Sequence, residues 1–156
     1  MSDLNSLSAQ EVISALDLEY LEGEGVWISL LWRTDHGNAI YGLLTPDDFS
    51  ALHMLDEDEM WVHVAGSPVE MLVLHPNGRH AEHVLGTDLD LGQAPAVRVP
   101  AQAWQGSRPL GDWSLVVCSL APPFSGFTLA GDDTDLSKWP EAVGRARRLI
   151  RSGDGA

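Results

Sequence analysis

Residues 59–85 read EMWVHVAGSPVEMLVLHPNGRHAEHVL, and this stretch decides the fold. Runs rich in Val, Leu, Met and Trp, at about 59–65, 69–75 and 80–85, are cut by Gly66-Ser67-Pro68 and by His75-Pro76-Asn77-Gly78. Asn and Gly both tolerate positive φ, so Asn77-Gly78 is a strong hairpin signal. Apolar runs this short, bounded by turn residues, read as strands. The same rhythm continues outward. It predicts further strands at about 26–33, 38–44 and 49–54 on one side and 96–99, 103–108, 112–120 and 126–129 on the other. His36-Gly37-Asn38 and Thr45-Pro46-Asp47-Asp48 mark two of the joints. Many short, closely spaced strands predict an antiparallel sandwich or barrel rather than βαβ units.

The two ends read differently. Ser8-Ala9-Gln10-Glu11 has the form of a capping box, and Val12, Ile13 and Leu16 give the helix it opens one apolar stripe. Residues 137–151 read as a closing helix with Ser137 as its cap and Pro140 in its first turn. No repeat, low-complexity tract or linker interrupts the chain, so 1–156 is expected to be one domain.

Composition excludes several classes of function. A net charge of −14 argues against a nucleic-acid partner, which needs a surplus of Lys and Arg on one face. Five of the nine basic residues (Lys138, Arg145, Arg147, Arg148, Arg151) cluster near the C-terminus and read as the solvated face of the closing helix. No window approaches the ~18 apolar residues of a membrane span. The start, MSDLNSLSAQEV, lacks the basic and apolar order of a signal peptide. Cys118, the single cysteine, cannot form an intramolecular disulfide and reads as a buried thiol. A cytoplasmic setting is the expectation.

The segment Leu43-Leu44-Thr45-Pro46-Asp47-Asp48-Phe49-Ser50-Ala51-Leu52-His53, with Asp58-Glu59-Met60-Trp61 and Ala65-Gly66-Ser67-Pro68, resembles the first signature of the cupin superfamily. Leu89-Asp90-Leu91-Gly92-Gln93, Val99 to Gly106, Arg108-Pro109-Leu110-Gly111 and Ala121-Pro122 resemble the second half. The likeness is to the RmlC-like cupin family 5, often labelled predicted sugar epimerases, and covers roughly residues 38–130. It implies an all-β fold: one jelly-roll-like barrel with short terminal helices, commonly a homodimer, with a small-molecule site in the barrel mouth.

Mapped onto the cupin pattern, Asp47 stands at the glycine, His53 at the first His, Leu55 at the second, and Glu59 and Gly66 at their usual places. Gln105 takes the last metal-binding His position, as is usual for this branch, and Gln102 takes a turn glycine. Near the N-terminus only Glu22-Gly23 and an aromatic match the branch, and its Arg–Glu pair is absent.

These residues support acid–base chemistry more readily than metal chemistry. A catalytic metal wants about three protein ligands. His53 and Glu59 supply two, and His63, in phase with Glu59 on one strand face, is the candidate third for a transition-metal cofactor. Without a metal, a buried Glu59 has its pKa raised by desolvation and couples to His53. Such a pair moves protons next to a carbonyl. Tyr41 and Gln105 are candidate donors to an oxyanion, and Trp61 and Trp104, flanking Glu59 and Gln105, are candidate walls of the pocket. The expectation is a metal-independent isomerase, epimerase, dehydratase or cyclase acting on a small, rather apolar carbonyl compound. The alternatives are a metal-dependent oxygenase and a non-catalytic binding module.

Overall fold

A computed structural model describes residues 2–152. Helix α1 (Ala9–Ala15) precedes eleven strands: β1 (Glu19–Tyr20), β2 (Trp27–Thr34), β3 (Gly37–Leu44), β4 (Ser50–Leu55), β5 (Glu59–Gly66), β6 (Val69–Leu74), β7 (His80–Leu85), β8 (Ala96–Val99), β9 (Trp104–Pro109), β10 (Ser114–Leu120) and β11 (Phe127–Leu129). Helix α2 (Val143–Arg147) follows. All ten strands expected from the sequence are present, most within one residue of the expected ends. The two-residue β1 carries no local pattern that would reveal it.

The strands form two sheets of antiparallel pairs, β1-β2-β3-β10-β5-β8 and β11-β4-β9-β6-β7. Strand alternation explains how they pack. In β6, Val69, Met71 and Val73 turn inward to meet Trp61, Val97 and Val116 of the first sheet. Leu72 and Leu74 turn outward and are covered by Leu136, Trp139, Ala142, Ala146 and Leu149 of the C-terminal segment. A strand buried on both faces reads as a nearly continuous apolar run, as β6 does. The outer face of the first sheet is covered in part by α1, where Val12 and Ile13 meet Leu43 and Leu115. The Ser8–Glu11 capping box is formed in both directions.

The C-terminal helix is far shorter than expected. Residues 136–142 form successive tight turns, Trp139 N–H to Leu136 and Ala142 N–H to Trp139, before the single short helix. Pro140 has no N–H to give a helical ladder, and Ser137 caps nothing; its own amide donates to Asp135. Of the basic residues here Lys138, Arg147 and Arg148 are solvent-exposed, as expected, but the group also makes contacts. They staple the segment down: Arg145 pairs with Glu82 at 2.7 Å, Arg147 donates to the carbonyls of Asp132 and Thr134, and Arg151 to those of Asp47 and Phe49. Arg108 and Arg151 both stack on the Phe49 ring.

Candidate active site

Direct cross-strand partners share a face, so the pairing registers define rows of inward side chains. In the second sheet one row runs His53–Gln105–Val73 across β4, β9 and β6. In the first, a row runs Arg33–Asn38–Leu120–Glu59 across β2, β3, β10 and β5. The rows meet where Gln105 Nε2 donates to Glu59 Oε1 at 2.9 Å.

His53 is 2 % exposed, and its Nδ1 lies 2.7 Å from the Ala51 carbonyl. A carbonyl can only accept, so Nδ1 carries a proton, and in the neutral form of the ring the lone pair is on Nε2. Nε2 stands 3.7 Å from Glu24 Oε1. That oxygen is itself held by the Ser50 hydroxyl at 2.7 Å.

Glu59 is 6 % exposed, and burial pushes its carboxyl up to about 7. Positive charge on His53 would lower it, the Glu24 carboxylate raises it further, and the Trp61 and Gln105 donors oppose the rise. The Trp61 indole N–H and the Gln105 amide both end on Oε1, at 2.9 Å each, and Oε2 receives no hydrogen bond from the described residues. Gln105 Oε1 is buried without a partner among the described residues. Cys118, paired with Trp61 across β10 and β5, is buried, and burial pushes its thiol well up, as an inert thiol requires.

His53, Glu59 and Glu24 open on a cavity of about 200 Å³ with apolar walls that include Ile28, Leu30, Ile40, Leu55 and Leu120. Its rim carries Arg33, Asn38 and Phe124. Asn38 and Arg33 hold the Phe124 backbone from both sides, through its N–H at 2.6 Å and its carbonyl at 2.9 Å. Glu24, Arg33, Asn38 and Phe124 are the site residues that sequence reading missed. Glu24 sits in the β1–β2 connection and is brought to His53 by Ala51 N–H bonding its carbonyl. Nothing local in the sequence signals that contact. For Arg33 and Asn38 a signal existed, since both flank the His36-Gly37 turn and fall opposite each other in a hairpin.

The family model described as "Cupin superfamily (DUF985)" matches residues 10–130. The chain belongs to the cupin superfamily. Among solved structures it is similar to a Shewanella oneidensis protein (29 % identity, TM-score 0.86, covering 94 % of this chain and 99 % of that one). A hypothetical protein from Leishmania major gives 23 % identity and a TM-score of 0.84, over 92 % and 99 % of the two chains. A Lactobacillus farciminis oxalate decarboxylase in a formate complex shares the fold alone, at 14 % identity and TM-score 0.58 over 72 % of this chain and 33 % of that one. No curated protein matches the sequence.

Set against the cupin pattern, the remaining expectations divide. Trp61 belongs to the cluster through its bond to Glu59. Trp104 does not: it neighbours Gln105 along β9 and so faces the other way, packing against the C-terminal segment. Tyr41, for the same reason of alternation with Ile40, lies on the outer face among the residues packed by α1. His63 faces inward but further along β5, half-buried opposite Val116, where its Nε2 donates to the Ser67 carbonyl at 3.0 Å. It cannot join His53 and Glu59.

The cupin metal centre therefore finds a poor donor set here. Leu55 offers no donor, Gln105 turns its N–H2 toward Glu59, and no three His, Cys, Asp or Glu side chains converge among the described residues. Gln102, at the pattern's turn glycine, adopts φ +68°, the left-handed conformation that glycine takes without strain.

Proposed function

We propose that this cupin is an enzyme that moves protons on a small carbonyl compound held in the barrel mouth, without a metal. The observation that carries the reading is the pairing of Glu59, buried and titrating near neutrality, with a histidine whose Nε2 faces the same cavity. A general acid–base pair works best when its pKa lies near the operating pH. Neutral His53 takes a proton from the carbon beside the carbonyl through Nε2. The electron pair of the broken C–H bond becomes the C=C bond of an enol, and protonated Glu59 gives its proton to the carbonyl oxygen. Reversal at the same or the neighbouring carbon returns both protons, which is isomerisation or epimerisation. The cavity, at about 200 Å³, lies below the ~300–1,000 Å³ typical of drug-sized ligands, which favours a compact substrate.

The test is proton exchange in D2O. Wild-type protein incubated with a panel of small carbonyl compounds should catalyse loss of the α-proton NMR signal of at least one, and EDTA should leave the rate unchanged. No exchange with any compound, together with retention of a ligand through purification, would favour the binding-module reading. Stoichiometric transition metal after chelator-free purification would favour the oxygenase. We also propose a homodimer. Trp32 and Met60, 48 % and 38 % exposed, lie in one row on the outer face of the first sheet, and light scattering should return roughly twice the 16.9 kDa chain mass.

A further inference from the structure

We infer that the rim of this cavity is a carboxylate receptor built by Arg33 and Asn38, so that the substrate is a short oxo acid. The inference rests on the acid–base reading for the far end of the site and goes beyond it by assigning the near end.

Asn38 is 3 % exposed and lines the cavity. Its Oδ1 accepts the Phe124 N–H, which settles which way the amide points, because an N–H needs an oxygen opposite it. The N–H2 that remains donates to no described residue and stays open to the cavity that Asn38 lines, so it is free to donate to what the cavity holds. Arg33, directly opposite Asn38 in the β2–β3 hairpin, spends one N–H on the Phe124 carbonyl. Its other N–H groups have no partner among the described residues. Among the described residues Arg33 is the one cationic side chain in the cavity wall, whose other charges, Glu24 and Glu59, lie with His53.

A group that accepts from both donors on this cavity wall, one of them charged, is best matched by a carboxylate. Its distance from the chemistry is set by the register. Leu120 separates Asn38 from Glu59 in the row, so their Cα atoms are two strand spacings apart, about 10 Å. Once both side chains reach inward, an acid of about three to five carbons spans the gap. Its hydrocarbon part then lies against Leu120, Ile40 and Leu30, and its carbonyl end meets Glu59 and His53.

The experiment measures dissociation constants of two probes, 2-oxobutanoate and its neutral amide 2-oxobutanamide, by ligand-observed NMR. Each probe is run against wild type, Arg33→Gln, Asn38→Asp and Glu59→Gln. Asn38→Asp keeps the oxygen that holds Phe124 while replacing the free donor with a negative oxygen, and Arg33→Gln guards against the case in which the buried aspartate disturbs folding. The acid should bind wild type at least ~10-fold more tightly than the amide. Both rim variants should weaken the acid by about 10- to 100-fold, the range for one charge-assisted hydrogen bond, and the amide by less than ~3-fold. Glu59→Gln should lower exchange by ~100-fold while weakening acid binding less than either rim variant does. Equal binding of the two probes, no saturable binding of the acid, or rim variants that bind the acid like wild type would overturn the receptor. If exchange persists on neutral carbonyl compounds in that case, the acid–base reading stands without it. Arg33-dependent binding with no exchange of any substrate would retain the receptor and remove the acid–base reading instead.

Discussion

His53 and His63 both turn into the space between the sheets, and both give one ring N–H to a backbone carbonyl. His53 uses Nδ1, toward Ala51 at 2.7 Å; His63 uses Nε2, toward Ser67 at 3.0 Å. Each bond fixes a tautomer, and the two tautomers are opposite. The difference that matters is what the other nitrogen meets. At His53, Nε2 opens on a cavity beside Glu24 and near Glu59. At His63, Nδ1 is buried with no partner, and no acid pairs with the ring, among the described residues. A histidine on an inward strand face is therefore not by itself a catalytic histidine; the contents of the space at its free nitrogen decide.

The sharpest way to break this comparison is to truncate both rings to an amide. His53→Gln should lower the proton-exchange rate by ~100-fold or more, the scale of a lost general acid–base group. His63→Gln should leave it within ~3-fold and cost about 1 kcal/mol of stability for the altered hydrogen bond. Equal losses of rate in the two variants, at matched folded fraction, would place the two histidines in one functional unit.

Glu59 gives the next largest effect, and it appears in stability. Its folded-state pKa, about 7, lies above the ordinary 4.5, so between those values the native state holds a proton that the unfolded state has released. Stability contributed by that proton is present below pH ~4.5 and is lost as pH rises through ~7, by about 3 kcal/mol in all. Glu59→Gln cannot ionise. It should match wild type in denaturant unfolding near pH 4 and exceed it by up to about 3 kcal/mol at pH 8, while losing ~100-fold in exchange rate. A variant less stable than wild type at pH 8 would show that the carboxylate is satisfied when charged. No comparable gain at high pH is expected for His63→Gln, since no acid stands beside that ring.

Much of this could be read from the sequence, because much of it is local. Strands were legible through turn residues and period-two burial, and His53, Glu59 and Gln105 through their spacing in the cupin pattern. Trp104 and Tyr41 were misplaced for a reason that was also legible. Each is adjacent along its strand to an inward residue, Gln105 and Ile40, and adjacent strand residues face opposite ways. Glu24 was not legible. Its place depends on Ala51 N–H and the Ser50 hydroxyl, and Arg151 packs so close to the neighbouring Gly25, at φ +94°, that any side chain there would strike its guanidinium. Such long-range contacts leave no periodic trace. The C-terminal helix failed because an apolar spacing that suits a helix also suits successive turns, and Pro140 favours the turns.

The smallest expected effects lie one step behind the two rings, in two buried serines. Ser50 donates to Glu24 Oε1 at 2.7 Å, behind His53. Ser114 donates to the Ser67 carbonyl at 2.6 Å, the same oxygen that anchors His63. Both side chains are fully buried, and either change to alanine should cost about 1 kcal/mol, the net value of an ordinary hydrogen bond. Stability alone thus cannot tell them apart; the rate profile can. Ser50→Ala frees the carboxylate facing His53 Nε2 and should lower the exchange rate by about 3- to 10-fold, with a displaced pH optimum. Ser114→Ala leaves the Ser67 carbonyl to His63 alone and should keep both rate and optimum. An unchanged pH profile in Ser50→Ala would remove Glu24 from the chemistry and reduce the active pair to His53 and Glu59. A shifted profile in Ser114→Ala would mean that the His63 end of the barrel communicates with the cavity, and the distinction between the two histidines would fall.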